Sequence, residues 1–368
     1  IKIEDLLDRA PIIIDNPIVQ REVNDKVVLV SGAAGSIGSE ISRQLCSYNC
    51  KLIVLIDQAE SPLYDLQQEL IQKGITNFVA VVSDVRDKFK ISRIFKKYKP
   101  QRVFHAAAYK HVPLMEKSPY EAIKVNVLGT KNLADLSIEN NIERFVMVST
   151  DKAVNPTNVM GASKRIAELY ISCVSKKANT TKFTTTRFGN VLGSNGSVIP
   201  LFKRQIENGG PLTVTHEKIT RYFMTIPEAC SLVLEAGTMG KGGEIYIFDM
   251  GKSVKIFEIA KRMIHLSGLK YPEDIDIKIT GLRPGEKLYE ELLANGENTT
   301  KTYHEKIMIA KNQEIDVSHV QDNINRLSLN FSKLNNSDLV KFMKELVPEY
   351  VSNNSEFEKL DKISEEVS

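Results

Sequence analysis

The feature that most constrains this chain is an apolar strand that runs directly into a glycine-rich turn and a helix. The segment VVLVSG is followed by AAGSIGSEISRQL, so that Gly32, Gly35 and Gly38 have GxxGxxG spacing. Gly32 permits a tight turn, Gly35 lets a ligand approach the backbone, and Gly38 lets the helix pack closely against the strand. The free N–H groups of Ser36 and Ile37 can then hold phosphate groups at the start of the helix. The segment therefore predicts a dinucleotide-binding turn.

An acidic residue at the end of the next strand sharpens this prediction. The strand KLIVLID ends in Asp57, which follows Gly38 by 19 residues. A carboxylate at this place accepts hydrogen bonds from the adenosine ribose and repels a 2′-phosphate, so NAD is predicted rather than NADP. Asp84 closes the third strand and resembles the residue that contacts adenine in related folds, with a helix N-cap in SDVRD as the alternative.

Short apolar runs alternate with helical stretches from Lys26 to Leu192. The runs are apolar on both faces, which is typical of parallel strands covered by helices on both sides. Such alternation predicts right-handed βαβ units and a doubly wound α/β sheet of Rossmann type. The runs are VVLVSG, KLIVLID, NFVAVVSD, RVFHAAA, RFVMVST and FTTTRFG.

The segments outside this alternating region have a different composition. Residues 1–25 form a lead-in, with a short helix (IEDLLDR) and then an extended stretch (APIIIDNPIV). After the nucleotide-binding domain (26–192), glycine and proline become frequent, which predicts a smaller substrate-binding lobe over 193–350, with some chain returning to the sheet. Residues 351–368 are polar and acidic and predict a tail that is a loosely held helix or disordered.

Composition excludes several classes of partner. The net charge is +3 and the basic residues are scattered, which argues against a nucleic-acid surface. There is no run of 18 apolar residues, so no membrane-spanning helix is predicted. The four cysteines and six histidines lack metal-ligand spacing, so we expect reduced, packed thiols and no metal site. The chain begins with Ile1 rather than Met, and we expect it to be a piece of a longer protein.

Three long motifs connect the chain with a known family. They are STDKAVNPTNVMGASKR after the fifth strand, RFGNVLGSNGSVIPLF and LRPGEKLYEELL. With these motifs the chain resembles the extended short-chain dehydrogenases. Among them it is most similar to the bacterial membrane-anchored UDP-N-acetylglucosamine 4,6-dehydratases of polysaccharide and glycan biosynthesis. The resemblance implies bound NAD, a UDP-sugar substrate and a homo-oligomer. It also implies a cytoplasmic location, at the cytosolic face of the inner membrane through an N-terminal region absent from this chain.

One position departs from the usual pattern of that family. Its members generally carry Tyr four residues before Lys, on one face of a helix beside the nicotinamide. Here Lys164 is present, and the resemblance implies that it binds the nicotinamide ribose, but Met160 occupies the tyrosine position. A thioether cannot accept a proton, so the usual base for the C4 hydroxyl is absent. In having Met at this position, the chain is similar to the long, membrane-linked branch of these dehydratases. The resemblance therefore implies that the configuration at C5 is retained.

The segment Thr150-Asp151-Lys152 holds the candidate catalytic groups. A 4,6-dehydratase oxidises C4 of the sugar, removes water across C5–C6 and reduces C6. The elimination needs an acid for the departing C6 hydroxyl and a base for the C5 proton. Asp151 is the candidate acid if burial keeps it protonated, and Lys152 is the candidate base if desolvation and nearby cations keep it neutral. Thr150 is a candidate partner of the C4 oxygen, and a water or Asp151 could deprotonate the C4 hydroxyl.

The resemblance also implies a set of further binding residues. Ala106 and Asn126 would lie beside the cofactor. The residues implied at the substrate are Lys110 and His111 over the sugar, Asn190 at the diphosphate, Pro200, Phe202 and Gln205 near the uracil, Arg221 and Arg283 at phosphate oxygens, and Glu286 at the uridine ribose.

Three other functions are compatible with parts of this pattern. A nucleotide-sugar C4 epimerase uses the same fold and cofactor but normally depends on the tyrosine that Met160 replaces. A non-catalytic NAD-binding module would account for the loss of the tyrosine but not for the retained Asp151 and Lys152. An NADP-linked reductase is disfavoured by Asp57.

Overall fold

The computed structural model describes residues 16–293, 298–310 and 316–365. The strands of these residues are β1 (Val27–Ser31), β2 (Leu52–Asp57), β3 (Phe78–Val82), β4 (Arg102–His105), β5 (Arg144–Val148), β6 (Lys182–Arg187), β7 (Asn190–Val191), β8 (Leu212–Val214), β9 (Thr220–Arg221), β10 (Phe223–Met224), β11 (Glu244–Phe248), β12 (Val254–Lys255), β13 (Ile277–Ile279), β14 (Thr299–Lys301) and β15 (Ile307–Ala310).

Helices connect most of these strands. They are α1 (Pro17–Val23), α2 (Ser36–Cys46), α3 (Glu60–Gln72), α4 (Lys88–Tyr98), α5 (Val112–Lys117), α6 (Pro119–Ala122), α7 (Thr130–Glu139), α8 (Val159–Lys177), α9 (Val198–Glu207), α10 (Ile226–Met239), α11 (Ile256–Leu266), α12 (Val317–Asn330), α13 (Asn336–Leu346) and α14 (Glu358–Glu365). A π-helix covers Ile123–Gly129, and short 3-10 helices cover Asp151–Ala153 and Phe331–Lys333.

A nine-stranded sheet forms the centre of the molecule. Its order is β14-β15-β11-β6-β5-β4-β1-β2-β3. The seven strands from β11 to β3 are parallel, while β15 pairs antiparallel with β11 and with β14. Strand β1 lies between β2 and β4, so the direction of winding reverses there and a crevice opens at the carboxyl ends of the strands. The predicted doubly wound α/β fold is confirmed.

The apolar core lies on both faces of this sheet. On one face α4, α7, α8, α12 and α13 cover strand residues such as Phe145 and Phe183. On the other, α1, α2, α3 and α10 cover residues such as Val28 and Phe248. All five residues of β1 are buried, as expected for a central strand with helices on both sides. A separate core, around Phe202 and Met263, holds α9, α11, β8 and β13 together as a smaller lobe.

The end of the lead-in differs from its predicted extended form. Residues 17–23 are helical, because Pro17 begins the helix and the Asn16 side chain accepts a hydrogen bond from the backbone N–H of Val19. Val19 and Val23 are buried against the core that contains α10. The helix predicted in IEDLLDR and the first half of the extended stretch lie outside the described residues.

The chain after residue 350 is held more firmly than its polar composition predicts. Phe357 is buried, and Lys344 of α13 forms an ion pair with Asp361 of α14 at 2.5 Å. Asn353 donates to the main-chain oxygen of Glu286 at 2.9 Å, which places this segment against the LRPGEK turn. The helix among the two predicted alternatives is present at Glu358–Glu365, but the expected loose attachment is wrong for residues 351–361. The described helices include none with the length and apolarity that a bilayer crossing requires.

Candidate active site

The three glycines of the first turn have different reasons to be glycine. Gly32 has φ +67°, and a Cβ there would lie 2.6 Å from the backbone nitrogen of Ala107. A Cβ on Gly38 would lie 2.0 Å from the Gly32 oxygen, so both residues are required by the fold itself. Gly35 has an ordinary φ of −75°, is exposed, and would meet only the Gly32 oxygen at 3.3 Å. A Cβ at position 35 would be tight against this backbone oxygen, but the position is exposed, which is consistent with close approach of a ligand.

Helix α2 presents an uncapped amino end beside this turn. It begins at Ser36, and its N-cap Gly35 makes no side-chain hydrogen bond to the first turn. The first N–H groups, including those of Ser36 and Ile37, therefore remain available to an anion. The Ser36 hydroxyl accepts from the backbone N–H of Asn195 at 3.1 Å, so the loop after β7 closes against the turn.

The two predicted carboxylates of the cofactor site have different environments. Asp57 ends β2 and accepts from the backbone N–H groups of Ala34 and Ala59, each at 2.9 Å. These bonds hold its carboxylate beside the glycine turn, as a ribose contact requires. Asp84 forms an ion pair with Arg86 at 2.6 Å, and the N-cap of α4 is Asp87. The alternative role of Asp84 as a helix N-cap is therefore wrong.

Two of the predicted cofactor residues, Ala106 and Asn126, are held in the fold by hydrogen bonds. Ala106 follows β4 and donates to the Ser31 oxygen of β1 at 3.1 Å. Asn126, fully buried in the π-helix, bonds to both backbone groups of Tyr109 and donates to Ser163 of α8 at 2.9 Å. The side chain thus joins the loop after β4 to the helix that carries Lys164.

Met160 and Lys164 occupy successive turns of α8 at the carboxyl end of β5. Both are buried, and the Lys164 ammonium donates to the Val148 oxygen at 2.8 Å. Burial lowers the pKa of Lys164 to about 8. Lys164 therefore lies at the carboxyl edge of the sheet, where Asp57 and the glycine turn also lie, whereas the Met160 side chain packs in the apolar core.

Asp151 and Lys152 form an enclosed ion pair directly after β5. Asp151 is fully buried, and its Oδ1 accepts from Thr150 Oγ1 and Lys152 Nζ, both at 3.0 Å. Its other oxygen, Oδ2, is buried and has no hydrogen-bond partner among the described residues. Lys152 also donates to Asn190 Oδ1 at 3.0 Å. Neither side chain is directed into bulk solvent, so the pair differs from an ordinary surface ion pair.

The loop after β4 faces the loop after β7, which contains Ser194 and Gly196. Lys110 donates to Ser194 at 3.3 Å, and the His111 ring packs against Gly196, where an added Cβ would lie 2.5 Å from the ring. Burial and the Lys152 ammonium lower the pKa of Lys110. Burial and the charge of Lys110 also lower the pKa of His111. Three nitrogen-containing side chains therefore surround one side of the crevice.

Two residues predicted to lie near the uracil have structural roles instead. Phe202 is fully buried in the core of the smaller lobe, because it is on the inward face of α9. The Gln205 side chain bonds twice to Thr213 of β8, at 2.8 and 3.0 Å. The predicted contact of Phe202 with a base is wrong for this conformation, and Gln205 joins α9 to β8. Pro200 is half-buried on the same helix, and its predicted role remains a prediction.

The two arginines predicted to contact phosphate differ sharply. Arg221 is buried, and its guanidinium donates to the main-chain oxygens of Thr220, Lys287 and Leu288 at 2.7 to 3.3 Å. These bonds favour a role in holding the LRPGEK loop over a role in binding phosphate. The Arg283 side chain is 58% exposed and therefore accessible to an anion.

Glu286 closes the same turn. It accepts from the backbone N–H and the guanidinium of Arg283 at 3.0 and 3.2 Å. Because its carboxylate is buried and already accepts two hydrogen bonds, a ribose hydroxyl would have to donate to one of the remaining lone pairs. Its role at the uridine is therefore still a prediction.

Three charged residues at the site were not identified from the sequence. Glu290 of the motif LRPGEKLYEELL is buried, with Oε1 at 3.8 Å from Lys152 Nζ and from Arg221 Nε. Glu168 and Arg187 form a fully buried ion pair below the segment Thr150-Asp151-Lys152, with Nη2 of Arg187 2.7 Å from Oε2 of Glu168. Glu168 lies four residues after Lys164 on α8, which is a signal that helical spacing could have provided. No local pattern distinguishes Glu290 from its neighbour Glu291.

Comparison with known proteins agrees with this architecture. The chain is 51% identical over 335 residues to the capsular polysaccharide biosynthesis protein CapD of Staphylococcus aureus, covering 90% of this chain and 56% of that protein. The chain thus spans about half the length of that relative. It is 33% identical to an inverting UDP-N-acetylglucosamine 4,6-dehydratase of Campylobacter jejuni, covering 75% and 79% of the two chains. It is 35% identical to a UDP-glucose 4-epimerase of Rickettsia canadensis, covering 74% and 78%.

A solved structure has a similar fold. The X-ray structure of Pen from Bacillus thuringiensis aligns with a TM-score of 0.74 at 32% identity, covering 83% of this chain and 98% of that one. The fold and the site together define a member of the extended short-chain dehydrogenases. Residues 28–312 match the polysaccharide biosynthesis protein family, and the chain belongs to that family.

Proposed function

We propose that the protein catalyses the NAD-dependent 4,6-dehydration of a UDP-sugar, with UDP-N-acetylglucosamine as substrate. One observation carries the proposal: a fully buried carboxyl group, with one oxygen free of described partners, is paired with an amine at the carboxyl end of β5. Elimination of water needs an acid and a base close together, and Asp151 and Lys152 fit these roles. The name of the Campylobacter jejuni relative supports the same reaction.

The residues of the crevice fit NAD. The open approach at Gly35, the uncapped N–H groups of α2 and the ordered carboxylate of Asp57 would hold the pyrophosphate and the adenosine ribose. Lys164 would hold the nicotinamide ribose. Bound NAD supplies the redox chemistry, which is oxidation of the sugar at C4 and the later reduction at C6.

The chain's own groups would carry out the proton transfers between these two redox steps. Asp151 would protonate the departing C6 hydroxyl through Oδ2, which has no hydrogen-bond partner among the described residues. Lys152 would remove the C5 proton, which the ketone at C4 makes acidic, and would return a proton to C5 when C6 is reduced. Lys110 lies close enough to Lys152 for burial and the Lys152 charge to lower the pKa of Lys110. Thr150, which donates to Asp151, would hold the C4 oxygen.

The stereochemical outcome is part of the proposal. Met160 at the tyrosine position supports retention of configuration at C5, whereas the name of the Campylobacter jejuni relative specifies inversion. The two products differ in the orientation of the C5 hydrogen, which proton NMR of the keto sugar distinguishes directly.

C4 epimerisation is the second candidate, because a relative of similar identity is named a UDP-glucose 4-epimerase. We expect the protein to convert UDP-N-acetylglucosamine into a 4-keto-6-deoxy sugar when product formation is followed by NMR. Formation of UDP-N-acetylgalactosamine would instead support the epimerase. Binding of NAD without any turnover would support a non-catalytic module.

Replacement of Asp57 tests the cofactor assignment. We expect Asp57→Ala to weaken NAD binding by about 10- to 100-fold, since it removes hydrogen bonds to a charged acceptor. NADP binding should change much less, because the replacement also removes a repulsive charge. Calorimetric titration of both dinucleotides measures the ratio, and Asp65→Ala on the exposed face of α3 is the control. An unchanged NAD/NADP ratio in Asp57→Ala would remove Asp57 from the cofactor site.

A further inference from the structure

Glu290 lies between Lys152, which follows β5, and Arg221, which holds the LRPGEK loop. Its side chain is 3% exposed. Oε1 lies 3.8 Å from the ammonium of Lys152 and 3.8 Å from Nε of Arg221. The other oxygen, Oε2, is buried and has no hydrogen-bond partner among the described residues. The carboxyl group therefore connects the candidate base with the arginine that holds the LRPGEK loop.

This environment is costly for a residue that only supports the fold. A buried carboxyl oxygen without a hydrogen bond costs free energy, and ion pairs at 3.8 Å lack the bonds that would offset the loss. Burial raises the pKa of Glu290, in agreement with incomplete satisfaction by its neighbours. The charged groups that act on Glu290 are those of Lys152, Asp151, Arg221 and Lys287. Incompletely bonded buried groups of this kind occur at functional sites.

The adjacent residue gives a direct contrast. The Glu291 side chain is 46% exposed, and it pairs with Lys287 at 3.1 Å and accepts from Asn155 at 3.3 Å. Its carboxylate has partners in the protein and access to water, so it has the features of an ordinary surface pair. Two glutamates in one motif thus have opposite orientations, and only Glu290 faces Lys152.

We propose that Glu290 is a positioning residue for Lys152, and that it fixes the amine relative to Asp151 during the elimination step. Lys152 then has three oxygen neighbours, from Asp151, Asn190 and Glu290. These contacts leave one direction in which the amine can approach the sugar. Because Glu290 also neighbours Arg221, the placement of the amine is tied to the loop that carries Arg283 and Glu286. This assignment rests on the proposed dehydration.

The test compares Glu290→Gln with Glu291→Gln in the 368-residue chain loaded with NAD. Glutamine has nearly the same shape, so we expect both variants to fold with similar thermal midpoints. For Glu290→Gln we expect kcat to fall by about 10- to 100-fold, as for a misplaced catalytic group, with KM for UDP-N-acetylglucosamine changed less than about three-fold. Glu291→Gln should retain both constants.

The pH profile and a conservative variant separate positioning from general support of the fold. If the ionised Glu290 holds Lys152, kcat of the wild type falls as the pH drops through the raised pKa of Glu290, and this limb is absent in Glu290→Gln. Glu290→Asp, which keeps a carboxylate, should recover part of kcat. Wild-type kcat in Glu290→Gln, or equal losses in kcat and affinity with a lowered thermal midpoint, would overturn the assignment. A wild type that forms no keto sugar would instead refute the proposed function.

Discussion

Asp151→Asn is expected to lose about 10²- to 10⁴-fold in the rate of formation of the keto sugar, the range found when a general acid or base is removed. The amide keeps the shape of the side chain and can still accept from Thr150, but it cannot donate an acidic proton to the departing C6 hydroxyl. Because Asp151 has no contact with the glycine turn, NAD binding should be unchanged. Single-turnover kinetics with NAD-loaded protein measures the chemical step directly.

Asp249→Asn is a suitable control for this prediction. Asp249 follows the end of β11 in the same sheet, but it is 40% exposed and pairs with Lys306 at 2.9 Å. We expect this variant to retain the wild-type rate, because the changed carboxylate pairs with Lys306 and not with Lys152. A rate for Asp151→Asn within a few-fold of wild type would exclude Asp151 as the acid.

Glu168→Ala is expected to cause the largest loss of stability, about 3–5 kcal/mol, as found when one partner of a buried ion pair is removed. Glu168 Oε2 accepts from Arg187 at 2.7 Å, and Oε1 accepts from Arg187 at 2.9 Å and from Ser149 at 2.6 Å. Its loss would deprive the fully buried Arg187 of this carboxylate and release Ser149 at the start of the catalytic loop. Denaturant unfolding measures the difference in the free energy of unfolding.

The difference in the free energy of unfolding between wild type and Glu168→Ala should depend on pH. Burial alone would raise the pKa of Glu168, but the charge and hydrogen bonds of Arg187 lower it from 4.5 to about 2. The ionised form therefore stabilises the fold fully above pH 4.5, and this contribution is lost as the pH falls toward 2. The gap between wild type and Glu168→Ala should narrow over that range. Glu139→Ala, which breaks an exposed pair with Lys88, should cost less than about 1 kcal/mol at any pH.

Local patterns accounted for much of the fold and of the cofactor site. The strand before Gly32, the spacing of the glycines and the acidic end of β2 are encoded within a short stretch of chain, so the sequence placed them correctly beside one another. The alternation of apolar runs and helices similarly specified the parallel part of the sheet. Helix α1 was missed although Asn16 and Pro17 form a helix start, because the apolar run before them favoured an extended form.

The errors at the substrate end have a different physical origin. Whether Phe202 faces the crevice depends on the side of α9 that packs into the smaller lobe, and whether Arg221 is available depends on oxygens of residues 287 and 288. Glu290 meets Lys152 only because the loops after β5 and β13 come together in the folded chain. Such contacts are determined by tertiary packing, and no spacing within the sequence reveals them.

The most direct measurement follows the hydrogen at C4 of the sugar. UDP-N-acetylglucosamine with deuterium at C4 would be incubated with NAD-loaded protein in ordinary water, and the product examined by NMR and mass spectrometry. We predict a 4-keto sugar whose new C6 methyl group carries that deuterium, because oxidation at C4 and reduction at C6 occur in one active site. Deuterium retained at C4 of UDP-N-acetylgalactosamine, or substrate recovered unchanged, would contradict the proposed dehydration.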